Sequence, residues 1–290
     1  MDFKADRQPV GEKIRKAARA GQFYPGQVDA MKQAIAQHMA VGRLHAGDEQ
    51  PQFRRAVMLP HAGWQFCADT IGKTLARTTV PKRVIIIGPR HTPGGPNWSV
   101  ACHDAWDIPG ATVPIATDWA QYLAKTVPGL QCEPQAHRVE HGSEVLIPFL
   151  HHLNPDIAVL PIVIGHARYE DIELLGQALA SICDQCQQND GDRPLLVISS
   201  DMNHFAGEPE NRRLDHMALD AMCSGDPKKL YDTCINNDIS MCGMIPACII
   251  MRALLEQSPA LRPQLIDYCN SASTTGDESS VVGYAGVLLD

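Results

Sequence analysis

Four short segments, 56–60 (AVMLP), 83–88 (RVIIIG), 157–165 (IAVLPIVIG) and 194–200 (PLLVISS), are almost continuously apolar and rich in β-branched residues. A strand with one wet face alternates apolar and polar side chains. An unbroken apolar run of this length therefore predicts a strand covered on both faces. Between and after these runs, segments 68–77, 117–127, 143–153, 169–187, 211–223 and 243–256 read as helices. Strands alternating with helices predict an α/β fold: a mainly parallel or mixed central sheet flanked by helices. Two further strands are predicted at 264–269 and 280–289, parted by turn-forming residues at 271–278. No internal repeat, low-complexity tract or Pro/Gly/Ser-rich linker divides the chain, so one domain over 1–290 is expected.

Composition narrows the function classes. With 44% hydrophobic and 20% charged residues among 290, the chain is ordinary for a globular protein. A net charge of -8 disfavours nucleic acid and anionic membrane as partners, since both demand a basic face. The opening MDFKADRQPVGEKIRK has no apolar leader core, and no apolar run reaches the roughly 18 residues of a membrane span, so a cytoplasmic location is expected. Ten cysteines without a leader read as reduced thiols. Cys183 and Cys186 form a C-x-x-C, but late in a predicted helix and without the second pair that a zinc ribbon needs.

Candidate chemistry collects at strand ends. Three of the apolar runs lead directly into loops carrying histidine: Pro60-His61-Ala62-Gly63-Trp64, Gly88-Pro89-Arg90-His91 and Ser199-Ser200-Asp201-Met202-Asn203-His204. Open α/β sheets bind ligands at the carboxyl ends of their strands, so three such histidines predict a shared site. Neutral imidazole suits iron, copper, nickel and zinc, which makes His61 and His91 candidate ligands. Spacing leaves the third open among Asp201, His204, Glu140, His141 and Cys242. Cys242 stands just before a predicted helix, where the helix dipole favours a thiolate. A competing signal is His137-Arg138-Val139-Glu140-His141, the H-x-x-E-H pattern of inverted zinc proteases; Pro134 and Gly142 flank it and oppose the helix it requires. No G-x-S-x-G, P-loop or G-x-G-x-x-G is present. Phe23, Tyr24, Trp64, Phe66 and Trp98 are core residues by default, with Trp64 and Arg90 placed at the pocket by their neighbours His61 and His91.

Taken together, the chain resembles the Memo family, whose bacterial members are called AmmeMemoRadiSam system protein B. The resemblance is carried by AGQFYP at 20–25, PHAGW at 60–64, GPRH at 88–91 and EHGSEVLIPFL at 140–150. It continues with ISSDMNHF at 198–205, Cys242-Gly243 with Pro246, and NSASTTGDESSVVGYAG at 270–286. It implies a fold similar to the class III extradiol dioxygenases, which hold iron(II) with two histidines and a glutamate, and a cysteine in place of that carboxylate. By motif the ligands fall on His61, His91 and Cys242, and further pocket residues on Asp201, His204, Glu140 and His141, leaving His137 incidental. The chain departs from the family pattern at Arg90, commonly a small polar residue, at Met244, frequently arginine, and at Gly142, Ser143 and Leu146 within a motif that usually reads EHSLEVQLPFL.

The resemblance thus implies a mononuclear metal pocket running iron(II)-dependent redox chemistry, with copper or zinc as alternative ions. His204 is expected to move a proton, with Asp201 orienting it. The alternative is a metal-independent adaptor for a small molecule, a peptide or a radical SAM partner. A zinc hydrolase built on the H-x-x-E-H match is the third reading.

Overall fold

The computed structural model describes residues 13–189 and 193–290. The first twelve residues, on which most of the leader expectation falls, lie outside the described residues. The apolar runs become the centre of a nine-stranded mixed sheet: β1 (Ala56–Leu59), β2 (Arg83–Pro89), β3 (Trp98–Val100), β4 (Leu130–Cys132), β5 (Ala158–Ile164), β6 (Leu195–Ser199), β7 (His204–Ala206), β8 (Pro263–Asn270) and β9 (Val281–Leu289). Their order is β7-β9-β1-β6-β2-β5-β3-β4, with β8 on β9. The middle four, β1, β6, β2 and β5, are mutually parallel. On β2, Val84 to Ile87 are all fully buried, as an unbroken apolar run demands. Each such side chain contributes about 1.5–3 kcal/mol of burial. The two C-terminal strands expected from the sequence form as β8 and β9, which pair antiparallel.

Helices cover the sheet: α1 (Val28–Ala46), α2 (Trp64–Leu75), α3 (Thr117–Thr126), α4 (Ile147–Leu153), α5 (Tyr169–Asn189), α6 (Glu208–Cys223), α7 (Pro227–Asn236) and α8 (Met244–Gln257). Two of these were not expected from the sequence. α1 buries a narrow stripe of Met31, Ile35, Met39 and Gly42, while Val41 and Leu44 lie exposed off it, so its periodic signal is thin. Its partner is α2. A Cβ at Gly42 would sit 2.1 Å from the Gly72 carbonyl oxygen, so the two helices cross in backbone contact that only glycine permits. α7 is opened by Asp226, whose carboxylate accepts the Lys228 and Lys229 N–H groups, with Pro227 in the first turn. A second, three-stranded sheet joins Ile14–Arg15 to the hairpin Ala105–Ile108 and Ala111–Pro114. The helix expected from residue 143 begins only at Ile147, because residues 142–146 turn toward the strand ends. Among the described residues no helix is long and apolar enough to cross a membrane.

Candidate metal centre

Strands β1, β6 and β2 are neighbours, run the same way and therefore end at one edge of the sheet. His61 follows the end of β1 and His91 the end of β2; β6 lies between them, so the two histidines flank a third strand end. The opposite wall is the loop before α8. There the Gly243 N–H donates to Ser200 Oγ at 2.9 Å, and a Cβ at Gly243 would lie 2.7 Å from the Ser199 carbonyl oxygen. Only glycine lets this loop seat directly on the end of β6. The close seat brings Cys242 Sγ to 3.3 Å from His61 Nε2. One donor atom each from His61, His91 and Cys242 lies within 4.8 Å of the others, a group able to hold a metal ion.

Hydrogen bonds decide which nitrogen each imidazole offers. Ser199 Oγ donates to the Gly142 carbonyl at 2.6 Å, so it must accept the 2.7 Å bond from His61 Nδ1–H. His61 thus presents its Nε2 lone pair to the thiol. His91 Nδ1 lies 2.7 Å from Glu140 Oε1, which as a carboxylate only accepts, so His91 is likewise left with a free Nε2. Burial by itself would raise the Glu140 carboxyl. The bond and charge of His91, the charge of His141 and the His91 N–H at 2.7 Å override it and hold the group at about 2, a permanent anion near neutral pH. Burial, then His91, drives His61 well below the usual imidazole range and keeps it neutral. Burial and the Asp201 carboxylate push the Cys242 thiol up, against an Asp201 N–H that donates to its sulfur at 3.2 Å. Glu140 and His141 also lie close enough to His91 to form a second possible donor group. Glu140 Oε1 is already taken by His91 Nδ1 and the His141 and Gly142 N–H groups, which leaves sulfur the more available third donor.

The other expected residues separate into those at the pocket and those elsewhere. His141 stacks on His91 at 4.3 Å between centroids, meets His61 edge-on at 5.3 Å and rests against Phe23 at 4.7 Å. Asp201 was expected to orient His204. Instead its Oδ1 accepts the His61 and Ala62 N–H groups at 2.7 and 3.3 Å and shapes the loop that carries His61. His204 is oriented by Ser240, whose carbonyl is 3.0 Å from Nδ1 and whose Oγ accepts its N–H at 2.9 Å. Trp64 is in neither donor group: its indole is buried against Tyr24 and Phe149 and donates to the Val145 carbonyl. Arg90 turns to the Gly94 carbonyl at 2.9 Å. Leu146 is wholly buried, and a Cβ at Gly142 would meet its neighbours at 3.5 Å or more, an ordinary van der Waals contact. Cys183 and Cys186 sit together in α5 and are in neither donor group.

His137 lies outside both donor groups. Only a single 3-10 turn, Gln135–His137, forms before the chain bends, so His137 and His141 do not share the helix face that an H-x-x-E-H zinc site requires. His137 is fully buried beside Trp106. Burial first, then the neighbouring Arg15 cation, lowers it from 6.5 to about 3. The depressed imidazole contributes stability that is fully present above pH 6.5 and lost as pH falls toward 3, at up to about 1.4 kcal/mol per unit of difference. His137→Leu should flatten the acid limb of unfolding free energy measured in urea between those pH values; an unchanged limb would refute this assignment.

Sequence reasoning passed over Ser199, read only as a strand-end residue, and the buried Arg15–Glu144 pair behind the site. Arg15 Nη2 lies 2.7 Å from Glu144 Oε2 and 2.8 Å from the Glu140 carbonyl. Glu144 also accepts the Ala18 and Arg19 N–H groups and the Tyr24 hydroxyl, fastening the amino-terminal arm to the 140–144 turn. A carboxylate directly before the apolar run 145–150 was the available signal.

Comparison with known proteins bears on the whole of this architecture. A solved structure of an uncharacterized Escherichia coli K12 protein is similar in fold, with a TM-score of 0.54 at 14% identity over 80% of this chain and 98% of that one. MEMO1 family proteins of Aquifex aeolicus and Archaeoglobus fulgidus are each 31% identical, over 96% and 95% of this chain and 99% of each relative. The family model for Memo-like proteins matches residues 15–288, from the arginine that pins the arm behind the site to the last strand of the sheet. With a match of that extent, the chain belongs to the Memo family.

Proposed function

We propose that this chain is a mononuclear metal-dependent redox protein whose ion is held by His61 Nε2, His91 Nε2 and Cys242 Sγ. The observation that carries the reading is the locking of both imidazoles, by Ser199 and Glu140, with their free nitrogens in one group with a thiol sulfur. Hydrogen-bonded outer partners of this kind are what metal-binding histidines require. Two nitrogens and a thiolate can hold iron(II), copper or zinc; the resemblance to the extradiol dioxygenases favours iron(II), which would supply one-electron chemistry there. His204, with Nδ1–H engaged by Ser240, keeps Nε2 as an acceptor for a substrate proton. The substrate is a small molecule or a peptide segment, and a radical SAM enzyme is the proposed partner.

Metal analysis of anaerobically purified protein tests the reading: stoichiometric iron or copper supports it, and a fully folded, metal-free protein that takes up none overturns it. Glu140→Gln removes the anion behind His91 and should weaken metal affinity by roughly 10–100-fold, measured by competition with a chromophoric chelator. Unchanged affinity would remove Glu140 from the site. A second reading, binding without turnover, draws on Phe205. This residue follows His204, is 77% exposed, and holds a left-handed φ of 67° that an aromatic residue rarely adopts. The metal-free outcome would favour it.

A further inference from the structure

A chain of polar side chains runs from the buried face of α6 out to His204. Asn211 and Asp215 lie four residues apart on α6 and so share one face of it. Both are wholly buried, and Asn203, in the loop after β6, is nearly so. A Cβ at Gly283 of β9 would overlap Asp215 Oδ2, so glycine at that point of the strand is what leaves room for the carboxylate. Three donors converge on Asp215. Its Oδ1 accepts the Asn203 N–H at 2.6 Å, and its Oδ2 accepts Asn211 Nδ2 at 2.9 Å and the Tyr268 hydroxyl at 2.7 Å.

A carboxylate only accepts, and that fixes the direction of every bond beyond it. Asn211 must turn Nδ2 to Asp215, which leaves its Oδ1 for Asn203 Nδ2 at 2.8 Å. Asn203 is then left with Oδ1 toward Ser240, where it accepts the N–H at 2.9 Å and the Oγ–H at 3.0 Å. With its proton committed, Ser240 Oγ accepts the His204 N–H, and the Ser240 carbonyl accepts from His204 Nδ1 at 3.0 Å. We propose that Asp215 is a positioning residue that acts through Asn211, Asn203 and Ser240 to hold His204 as the Nδ1–H tautomer, with Nε2 left as the acceptor. This rests on the reading of His204 as the group that takes a substrate proton.

Asp215→Asn keeps the shape of the side chain and reverses this ordering. An amide has one oxygen to offer where three donors converge. With its nitrogen on the Oδ2 side it faces Asn211 Nδ2, so Asn211 must flip; Asn203 flips in turn and points Nδ2 at the two Ser240 donors. With its nitrogen on the Oδ1 side it opposes the Asn203 N–H and pushes the loop that carries His204 away. In either arrangement buried donors are left facing donors, which costs more than the loss of a bond. Ser240 is then no longer clamped, and the His204 ring can turn or exchange its proton between nitrogens.

The test is NMR of the full, metal-free chain carrying isotope-labelled histidine, reading ring-nitrogen shifts at about pH 8, above the ordinary imidazole range. The His204 signals are identified by their loss in His204→Gln. In the wild type the unprotonated nitrogen of His204 should be Nε2. In Asp215→Asn the two ring shifts should move toward the average of exchanging tautomers, while His61, whose tautomer is set by Ser199, keeps its pattern. Tyr268→Phe removes a donor to the same carboxylate but no link of the relay, and should leave His204 unmoved. If Asp215→Asn does not fold, Asn211→Leu, which cuts the relay and keeps the charge, should give the same shift. An Nε2–H tautomer in the wild type, an unmoved His204 in the variant that cuts the relay, or an equal shift in Tyr268→Phe, the mark of general loosening around α6, would each overturn the proposal. The measurement needs neither metal nor turnover, so a failure of the redox reading, judged by metal uptake, is distinguishable from a failure of this one.

Discussion

Adding iron(II) or copper(I) to metal-free protein should raise its thermal midpoint, and Cys242→Ser should abolish most of that rise. The donors come from distant points in the chain: His61 and His91 end strands β1 and β2, whereas Cys242 precedes α8. An ion shared among them binds the folded state and not the separated segments. Its stabilisation is RT ln(1 + [L]/Kd), about 2.7 kcal/mol at a hundredfold excess over Kd. Serine is a poor substitute for thiolate, so the response should collapse in Cys242→Ser. His137→Ala, although costly to the core, should keep the full metal-induced increment, because His137 lies outside both donor groups. The increment should shrink as pH is lowered, since burial and Asp201 keep the thiol protonated until metal displaces the proton. Scanning calorimetry with and without metal measures all of this. Equal increments in wild type and Cys242→Ser would sink the assignment of sulfur as third donor.

Glu144→Ala should be among the most damaging single substitutions in the protein. Arg15 and Glu144 are both almost wholly buried, at 2% and 0% side-chain exposure, and truncation would leave the guanidinium without its counter-charge. Removing one partner of such a pair costs about 3–5 kcal/mol. The loss is compounded because Ala18 N–H, Arg19 N–H and the Tyr24 hydroxyl lose their acceptor as well. Replacing both charges, as Arg15→Met with Glu144→Leu, should recover part of the deficit, since it removes the uncompensated charge. Guanidinium denaturation of the wild type and the two variants measures the effect. A Glu144→Ala loss below about 1 kcal/mol, the scale of an exposed pair, would show that the pair is not sealed from water. Because Arg15 also holds the Glu140 carbonyl, the same substitution should loosen the turn behind His91.

The α/β class, the central strands and the chemistry-bearing loops were legible in the sequence because each is a local property. A short, β-branched, unbroken apolar run reads as a doubly covered strand, and a histidine just past such a run stands at a strand end. Family membership was legible for the same reason, as short strings in a set order. Strand order was not. That β6 separates β1 from β2 is a pairing between segments more than a hundred residues apart, and it alone puts Ser199 beside His61 and fixes its tautomer. The choice among five candidate third donors, open from spacing, depended on the seat of Gly243 on the end of β6, a close approach that no periodicity encodes. Trp64 and Arg90 were placed at the pocket by sequence adjacency, yet side-chain direction is set by packing, and theirs point to the core and to Gly94. The sequence by itself determined which elements exist and which residues end them. Only the tertiary structure decided which ends meet and which nitrogen each histidine turns toward the sulfur, because those depend on contacts made after the chain has folded.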